Sequence, residues 1–325
     1  MLTYCDVCHR ETRAEEVFPL GAYFYFEILR DRCIVRCVDC GVYSLYPQLS
    51  HDEILRIYTE RHQFSVNHIY SNRGKKQFSF FEKWWELYGD DRAYIARESL
   101  KRLKLKRHAR PARIFEPGCS VGALLTVYRR IDPDVDVHGV DIDSQARDRA
   151  SDAIRDAISI GDFMEHTSNE RYDIIILQFL LEHSRRPVEL LAKAYELLTD
   201  EGQLVIATPD IHSIRAVAAG PEWSLLSRPD MVVGHVMWYD PQSLRSLVQN
   251  AGFEIENMTH RGEVIDHLPT FVRTSLLRFL GREKNTQRFI SNYYLRILWS
   301  VLIDAFLSPR LDLGESLYVF ATKKK

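Results

Sequence analysis

Between residues 113 and 208, short apolar strands alternate with helical patterns, and the first strand runs straight into the turn Glu116-Pro117-Gly118-Cys119-Ser120-Val121-Gly122. Strand, helix, strand at this spacing demands a parallel sheet, because parallel neighbours need a crossover and the crossover helices cover both faces. The strands fall at Arg113–Glu116, Asp136–Val140, Ala157–Ile160, Tyr172–Leu177 and Gln203–Thr208, with helical periodicity over Arg186–Leu198 and Pro241–Ala251. Phe253–Met258 and Ser316–Thr322 add two more. The expected fold is α/β: a doubly wound, Rossmann-like sheet of seven strands.

Composition narrows the function. With 46% hydrophobic residues, the 325-residue chain can bury a sizeable core. Lys+Arg 43 against Asp+Glu 45 leaves a net charge of -2, which argues against a general nucleic-acid binder. No apolar run reaches the ~18 residues of a membrane span, and the opening MLTYCDVCHR lacks a secretory pattern. Four of the six cysteines form two Cys-x-x-Cys pairs, a usage typical of a reducing compartment. The expected location is cytoplasmic.

Glycines in a strand-to-helix turn let the backbone approach a ligand, with helix N–H groups facing it. Twenty-three positions after Gly118, the second strand ends in Gly139-Val140-Asp141, where a carboxylate can accept from both hydroxyls of a ribose. The third ends in Gly161-Asp162-Phe163, where a carboxylate and the next backbone N–H can read an adenine edge. Together these read as a nucleoside site. Gly118-Cys119-Ser120-Val121-Gly122 also spells the nucleophile elbow of a hydrolase. No oxyanion loop precedes Ser120, so that reading is set aside, as is a dehydrogenase, whose Gly-x-Gly-x-x-Gly spacing is absent.

At this point the sequence resembles the class I S-adenosylmethionine-dependent methyltransferases. The turn matches their Glu/Asp-x-Gly-x-Gly-x-Gly loop, with Ser120 at the middle glycine. The similarity continues through Gly139-Val140-Asp141-Ile142-Asp143-Ser144, Gly161-Asp162-Phe163, Leu181-Glu182-His183-Ser184-Arg185-Arg186-Pro187, Leu197–Leu204, Thr208-Pro209-Asp210, His235–Leu244 and Ala251-Gly252-Phe253. The resemblance implies that Gly118, Cys119 and Gly122 pack against the methionine part of S-adenosylmethionine, with Glu116 at its amino group. It places Asp141, with Ile142 beside it, at the ribose, Asp162 and Phe163 at the adenine, and Gln178 at the sulfonium end.

Cys5-x-x-Cys8 and Cys37-x-x-Cys40, with 28 residues between them, have the spacing of a structural zinc ribbon, with Gly41 favouring the tight turn. His9 is a weaker ligand candidate, and Cys33 reads as a strand residue. The segment Arg36–Pro47 looks like the ribbons that precede a subset of class I methyltransferases, many of which act on sugars, polyketides or glycans. The acceptor implied is therefore a small molecule or glycan.

Methyl transfer to a hydroxyl gains from one base near neutral pKa, and histidine suits that role. His183, after the fourth strand, and His235, before the helix from Pro241, are the candidates. Related sugar C-methyltransferases place Glu-His at the second position. Gly234 stands in for that glutamate here, so O-methylation is expected, with C- or N-methylation and a silent cofactor-binding scaffold as alternatives. Tyr58, Trp223 and Tyr239 are candidates for the acceptor pocket, although a place in the core is the plainer reading for each.

The expected division is a ribbon over 1–48, a helical linker or lid over 49–110, the methyltransferase core over 111–262, a helical insertion over 263–313 and the last strand with its tail over 314–325. In the insertion, Arg296, Ser300 and Asp304 make a narrow polar stripe on the apolar helix Tyr294–Leu307. Packing within the fold or a homodimer would cover it. Arg273, Arg278, Arg282, Lys284 and Arg288 would suit peripheral contact of 270–307 with an anionic membrane surface.

Overall fold

The computed structural model describes residues 1–19, 32–50, 52–53, 91–104, 110–213, 216–217, 234–261 and 314–324. Most of the linker, Tyr58, Trp223 and the insertion lie outside the described residues. No helix among those described is long and apolar enough to cross a membrane.

Four N-terminal strands, β1 (Leu2–Cys5), β2 (Arg10–Pro19), β3 (Cys33–Cys37) and β4 (Tyr43–Tyr46), pair antiparallel in sequence order. The fifth member of their sheet comes from far along the chain: β10 (Met237–Trp238) pairs with β4, Trp238 opposite Tyr43. The ribbon is thus stitched to the core by a shared sheet. Ile34, Val42, Tyr43, Leu45 and Leu49 are buried in the same apolar cluster as the core's own helices.

The large sheet contains β5 (Arg113–Pro117), β6 (Asp136–Asp141), β7 (Ile158–Ile160), β8 (Tyr172–Gln178), β9 (Leu198–Pro209), β11 (Phe253–Arg261) and β12 (Ser316–Lys323). Its order is β11-β12-β9-β8-β5-β6-β7, with β12 antiparallel to both neighbours and the pairs from β9 to β7 parallel. The seven-stranded, doubly wound expectation is met. β9 starts five residues earlier than its apolar run, because the Thr199–Gly202 stretch bulges out of register against β8.

Alternation along each strand divides two apolar layers. Ile174 and Ile176 of β8, Val205 and Ala207 of β9, and Tyr318 and Phe320 of β12 face one layer; Ile175, Leu177, Leu204, Ile206 and Val319 face the other. This is why Ile174–Leu177 reads as a continuous apolar run rather than an alternating one. The first layer is covered by α1 (Asp91–Lys104) through Ile95, Ala96, Leu100 and Leu103 and by α2 (Ala123–Ile131) through Leu124, Leu125 and Tyr128. Ser99 and the Tyr128 hydroxyl lie 2.6 Å apart between these helices. The α/β unit therefore includes α1, in the stretch expected to be linker. After the short helix α3 (Ala146–Arg149), the second layer is covered by α4 (Pro187–Leu197) and α5 (Pro241–Asn250). Pro187 and Pro241 open these helices, where a missing N–H costs nothing. Asp240 and Ser243 cap α5 reciprocally.

Strand order in the sheet reverses between β5 and β8: from β5 the chain winds outward through β6 to β7, then crosses back to β8 on the other side of β5. Sheets of this kind bind ligands at the carboxyl ends of the strands beside such a reversal.

Candidate functional site

The glycine turn leaves β5 at that reversal. Gly118, Ser120 and Gly122 all have left-handed backbone, with φ of +69°, +49° and +68°. The turn is pinned to the end of β6, where the Gly118 N–H donates to the carbonyl of Val140 at 2.8 Å. A Cβ at Gly122 would stand 2.2 Å from the Ile154 side chain, so both conformation and space require glycine.

Asp141 is built into the same turn. Its Oδ2 accepts the Ser120 N–H at 2.7 Å and its Oδ1 accepts the Asp143 N–H at 2.8 Å. Glu116, at the end of β5, is 4% exposed, and its Oε2 is buried without a hydrogen-bond partner. Burial, then the charge of Asp141, holds its carboxyl well above the ordinary range, with Arg92 opposing. A buried carboxyl oxygen left unpaired at a ligand end suits an ammonium group, so the residues fit the amino end of S-adenosylmethionine.

Cys119 turns inward: its thiol packs over Gly139, and burial pushes its pKa up. Only its backbone faces outward. The Phe163 ring is likewise buried, 5.9 Å from the Phe115 ring and under Lys193. Asp162 is exposed and accepts the Met164 N–H at 2.8 Å, and Gln178 ends β8 half-buried. Exposed apolar side chains collect on this edge: Ile142 (58%), Ile160 (44%) and Phe179 (39%) follow or end β6, β7 and β8. A flat aromatic ligand would find apolar cover there.

Beyond β8 the structure brings together a group that the sequence reading only half named. His183 and His235 stack edge to face, ring centroids 4.6 Å apart, and the Glu182 carboxylate joins them with Oε1 4.0 Å from His235 Nε2. One ligand atom from each of the three lies within 4.8 Å of the others. Glu182 Oε2 accepts the Thr208 hydroxyl at 3.0 Å, and burial raises the carboxyl to about 8. The carboxylate that Gly234 denies His235 along the chain thus arrives across space from Glu182. Glu182 stands inside the quoted Leu181-Glu182-His183 stretch, but sequence carries no sign that it is buried. His235 is held by a relay of backbone bonds: Leu45 N–H to Val236 carbonyl at 3.0 Å, and Val236 N–H to Glu182 carbonyl at 2.9 Å. The ribbon therefore braces a residue of the core site. Tyr239 is fully buried, its hydroxyl directed at the Leu181 carbonyl, so it packs in the core behind the cluster.

The four paired cysteines converge as their spacing requires. Cys5 and Cys40 sulfurs lie 3.6 Å apart, and Cys8 and Cys37 sulfurs 3.9 Å. Tetrahedral bonds of ~2.3 Å place sulfurs about 3.8 Å apart, so the set fits an ion of zinc's size. Each knuckle closes through a left-handed residue, His9 (φ +52°) and Gly41 (φ +76°), whose N–H donates to the first cysteine's carbonyl at 2.9 Å. His9 is a turn residue outside the cluster. The hydrogen bond from Cys40 holds the Cys5 thiol down to about 5, while burial pushes Cys8 up to about 12.

The profile of a methyltransferase domain matches residues 88–257, just over half of the chain. The chain belongs to the methyltransferase-domain family. The matched segment takes in α1, in agreement with its packing. Over 66 residues the methyltransferase is 32% identical to the Type II methyltransferase M.CvrRI of Paramecium bursaria Chlorella virus XZ-6E, covering 20% of this chain and 17% of that protein. Among solved structures it resembles a SAM dependent methyltransferase from Archaeoglobus fulgidus (16% identity, 75% of this chain and 100% of that one, TM-score 0.45). It also resembles the plantazolicin methyltransferase BpumL in complex with SAH (16% identity, 83% and 100%, TM-score 0.46).

Proposed function

We propose that this methyltransferase moves the methyl group of S-adenosylmethionine to an oxygen of a small-molecule or glycan acceptor. The observation that carries the reading is the buried Glu116 carboxyl, its Oε2 without a hydrogen-bond partner, beside Asp141 at the reversal of the strand order. Glu116 would hold the amino group, Asp141 the ribose, Asp162 and the Phe163 N–H the adenine, with Gln178 toward the sulfonium. The backbone of Gly118 and Cys119 would lie along the methionine chain, ahead of Gly122. Ile142 would cover one adenine face.

The sulfonium is already a good leaving group, so the protein mainly aligns acceptor oxygen, methyl carbon and sulfur in line. The acceptor oxygen would lie at Glu182, His183 and His235 and lose its proton there, with Tyr58 and Trp223 as the expected pocket lining. The cysteine set would hold a structural zinc, and a closed four-thiolate shell leaves that ion no position for substrate.

The test is calorimetric binding of S-adenosylmethionine and S-adenosylhomocysteine to wild type and Asp141→Ala. Binding weakened about tenfold or more by the substitution, one lost charged hydrogen bond or its equivalent, is expected. No binding to a folded, zinc-replete wild type would overturn the reading. An acceptor panel of sugars and phenols, scored by transfer of labelled methyl to oxygen, tests the second half.

A further inference from the structure

We propose that Glu182, His183 and His235 bind one divalent transition-metal ion, separate from the cysteine site, at which the acceptor hydroxyl is activated. This deepens the reading of the site as the acceptor end of a methyltransferase and rests on it.

Two imidazoles and one carboxylate converge with all three ligand atoms inside 4.8 Å. Bonds of ~2.1 Å place neighbouring ligands about 3 Å apart and opposite ones about 4.2 Å. With pairs as far as 4.8 Å apart, the set has to close by up to about 1.8 Å between neighbouring ligands, or about 0.6 Å where one pair stands opposite, to take an ion.

The two oxygens of Glu182 are used differently. Oε2 is held by the Thr208 hydroxyl, while Oε1 has no hydrogen-bond partner and faces the His235 ring at 4.0 Å. Glu182 is 0% exposed, so no bulk water reaches that oxygen. A buried carboxylate with one oxygen anchored and the other left unpaired toward two imidazoles is poorly explained as an ion pair. It is well explained as a single-oxygen ligand with its supporting hydrogen bond in place. The backbone relay from Leu45 through Val236 to Glu182 fixes the spacing of His235 and Glu182 in the same way.

The donor set also selects the ion. Imidazole pairs with a carboxylate favour manganese, iron, cobalt or zinc, whereas magnesium prefers all-oxygen shells. Three protein ligands leave positions open on the ion, which favours an acceptor with two adjacent oxygens, a vicinal diol or catechol. Coordination makes one hydroxyl more acidic. Its proton passes to solvent, its lone pair forms the new bond to the methyl carbon, and the methyl–sulfur bond breaks to leave a neutral thioether. No group changes oxidation state.

Manganese(II) is the probe, because the cysteine set, loaded with zinc, does not compete for it. Electron paramagnetic resonance on the zinc-replete full chain should show one manganese ion bound per chain, with echo modulation from imidazole nitrogen. Glu182→Gln and His235→Ala should each weaken binding at least tenfold, while calorimetric binding of S-adenosylmethionine stays within about threefold. Absence of bound manganese and cobalt in wild type, with or without cofactor, would overturn the site. So would bound manganese without nitrogen modulation, a result that needs no variant to fold. Failure of S-adenosylmethionine to bind wild type would instead overturn the methyltransferase reading, whatever manganese does.

Discussion

The hydroxyl of Tyr43, on the last strand of the ribbon, lies 2.7 Å from Nε2 of His212, and Nδ1 of that imidazole lies 3.5 Å from Oδ2 of Asp240. One polar chain thus joins the ribbon, the loop after β9 and the cap of α5. Asp210 tightens the same corner, accepting the His212 N–H and contacting His260 Nε2, both at 2.8 Å. The ribbon is fastened where the core carries Glu182 and His235, so its folding bears on the site and not only on its own strands.

Removing the Tyr43 hydroxyl tests that fastening. Tyr43→Phe keeps the buried ring and deletes one hydrogen bond, so a stability loss of about 1 kcal/mol is expected. Urea unfolding measures it, and hydrogen exchange should quicken at Met237 and Trp238, the strand paired with β4. An unchanged unfolding midpoint together with unchanged exchange would mean that apolar packing alone holds the ribbon.

The cysteine set gives a second expectation. Cys37 is buried and accepts or donates at 3.3 Å with the buried Thr12 hydroxyl, so its sulfur has no room to be replaced by solvent. Zinc analysis of the purified chain should find one ion, and Cys37→Ser should lose most of it. Metal binding and folding of such a ribbon are one equilibrium. Chelation should therefore expose the β4–β10 edge and quicken exchange there, while β5 to β9 stay protected. A full zinc content in Cys37→Ser would sink the assignment.

Glu116 yields a proton count. A carboxyl that ionises later in the folded chain than in the unfolded one keeps a proton the unfolded chain has lost, so stability falls as pH climbs. For Glu116 the fall begins above its ordinary 4.5 and continues until the folded carboxyl ionises. Glu116→Gln should flatten the slope of unfolding midpoint against pH; Glu182 contributes with the same sign, but both proteins share it. If Glu116 meets the cofactor's ammonium, binding should also expel that proton. Calorimetry of S-adenosylmethionine in buffers of different ionisation enthalpy should show proton release by wild type that Glu116→Gln lacks.

The strands were legible because both faces of a parallel sheet are covered, which turns Ile174–Leu177 into an unbroken apolar run, while the turns at Gly118 and Gly161 mark the ends of β5 and β7. The cysteine pairs were legible because ligand geometry fixes their spacing. Three things were not. β10 is two residues long and exists only because β4 lies beside it. α1 carries the same helical pattern whether it packs on the core or bridges to it, and only Ile95 and Leu100 meeting Tyr128 decide that. Glu182 reads in sequence as an ordinary acidic residue after a strand; what makes it unusual is that Thr208 and His235, 26 and 53 positions later, close over it.

Gly122 combines a left-handed backbone with a crowded Cβ position. Its φ of +68° is unfavourable for any residue with a Cβ, and that Cβ would stand 2.2 Å from Ile154 Cδ1 and 3.0 Å from Ile158 Cδ1, both core side chains. Left-handed strain of roughly 1–2 kcal/mol adds to the displacement of packed neighbours, so Gly122→Ala should lose about 2–4 kcal/mol. The damage should not stop at stability. Gly122 opens α2 and its N–H closes the turn onto the Cys119 carbonyl at 2.8 Å, so the backbone offered to the cofactor shifts with it. Gly161→Ala is the control: a Cβ there meets nothing within 4 Å, although its φ of +158° also lies at the edge of the unfavourable range. Thermal unfolding and S-adenosylmethionine calorimetry on both variants separate the effects, with cofactor affinity expected to fall at least tenfold for Gly122→Ala. Equal losses in the two variants would show that backbone conformation, and not the crowding by Ile154, sets the requirement.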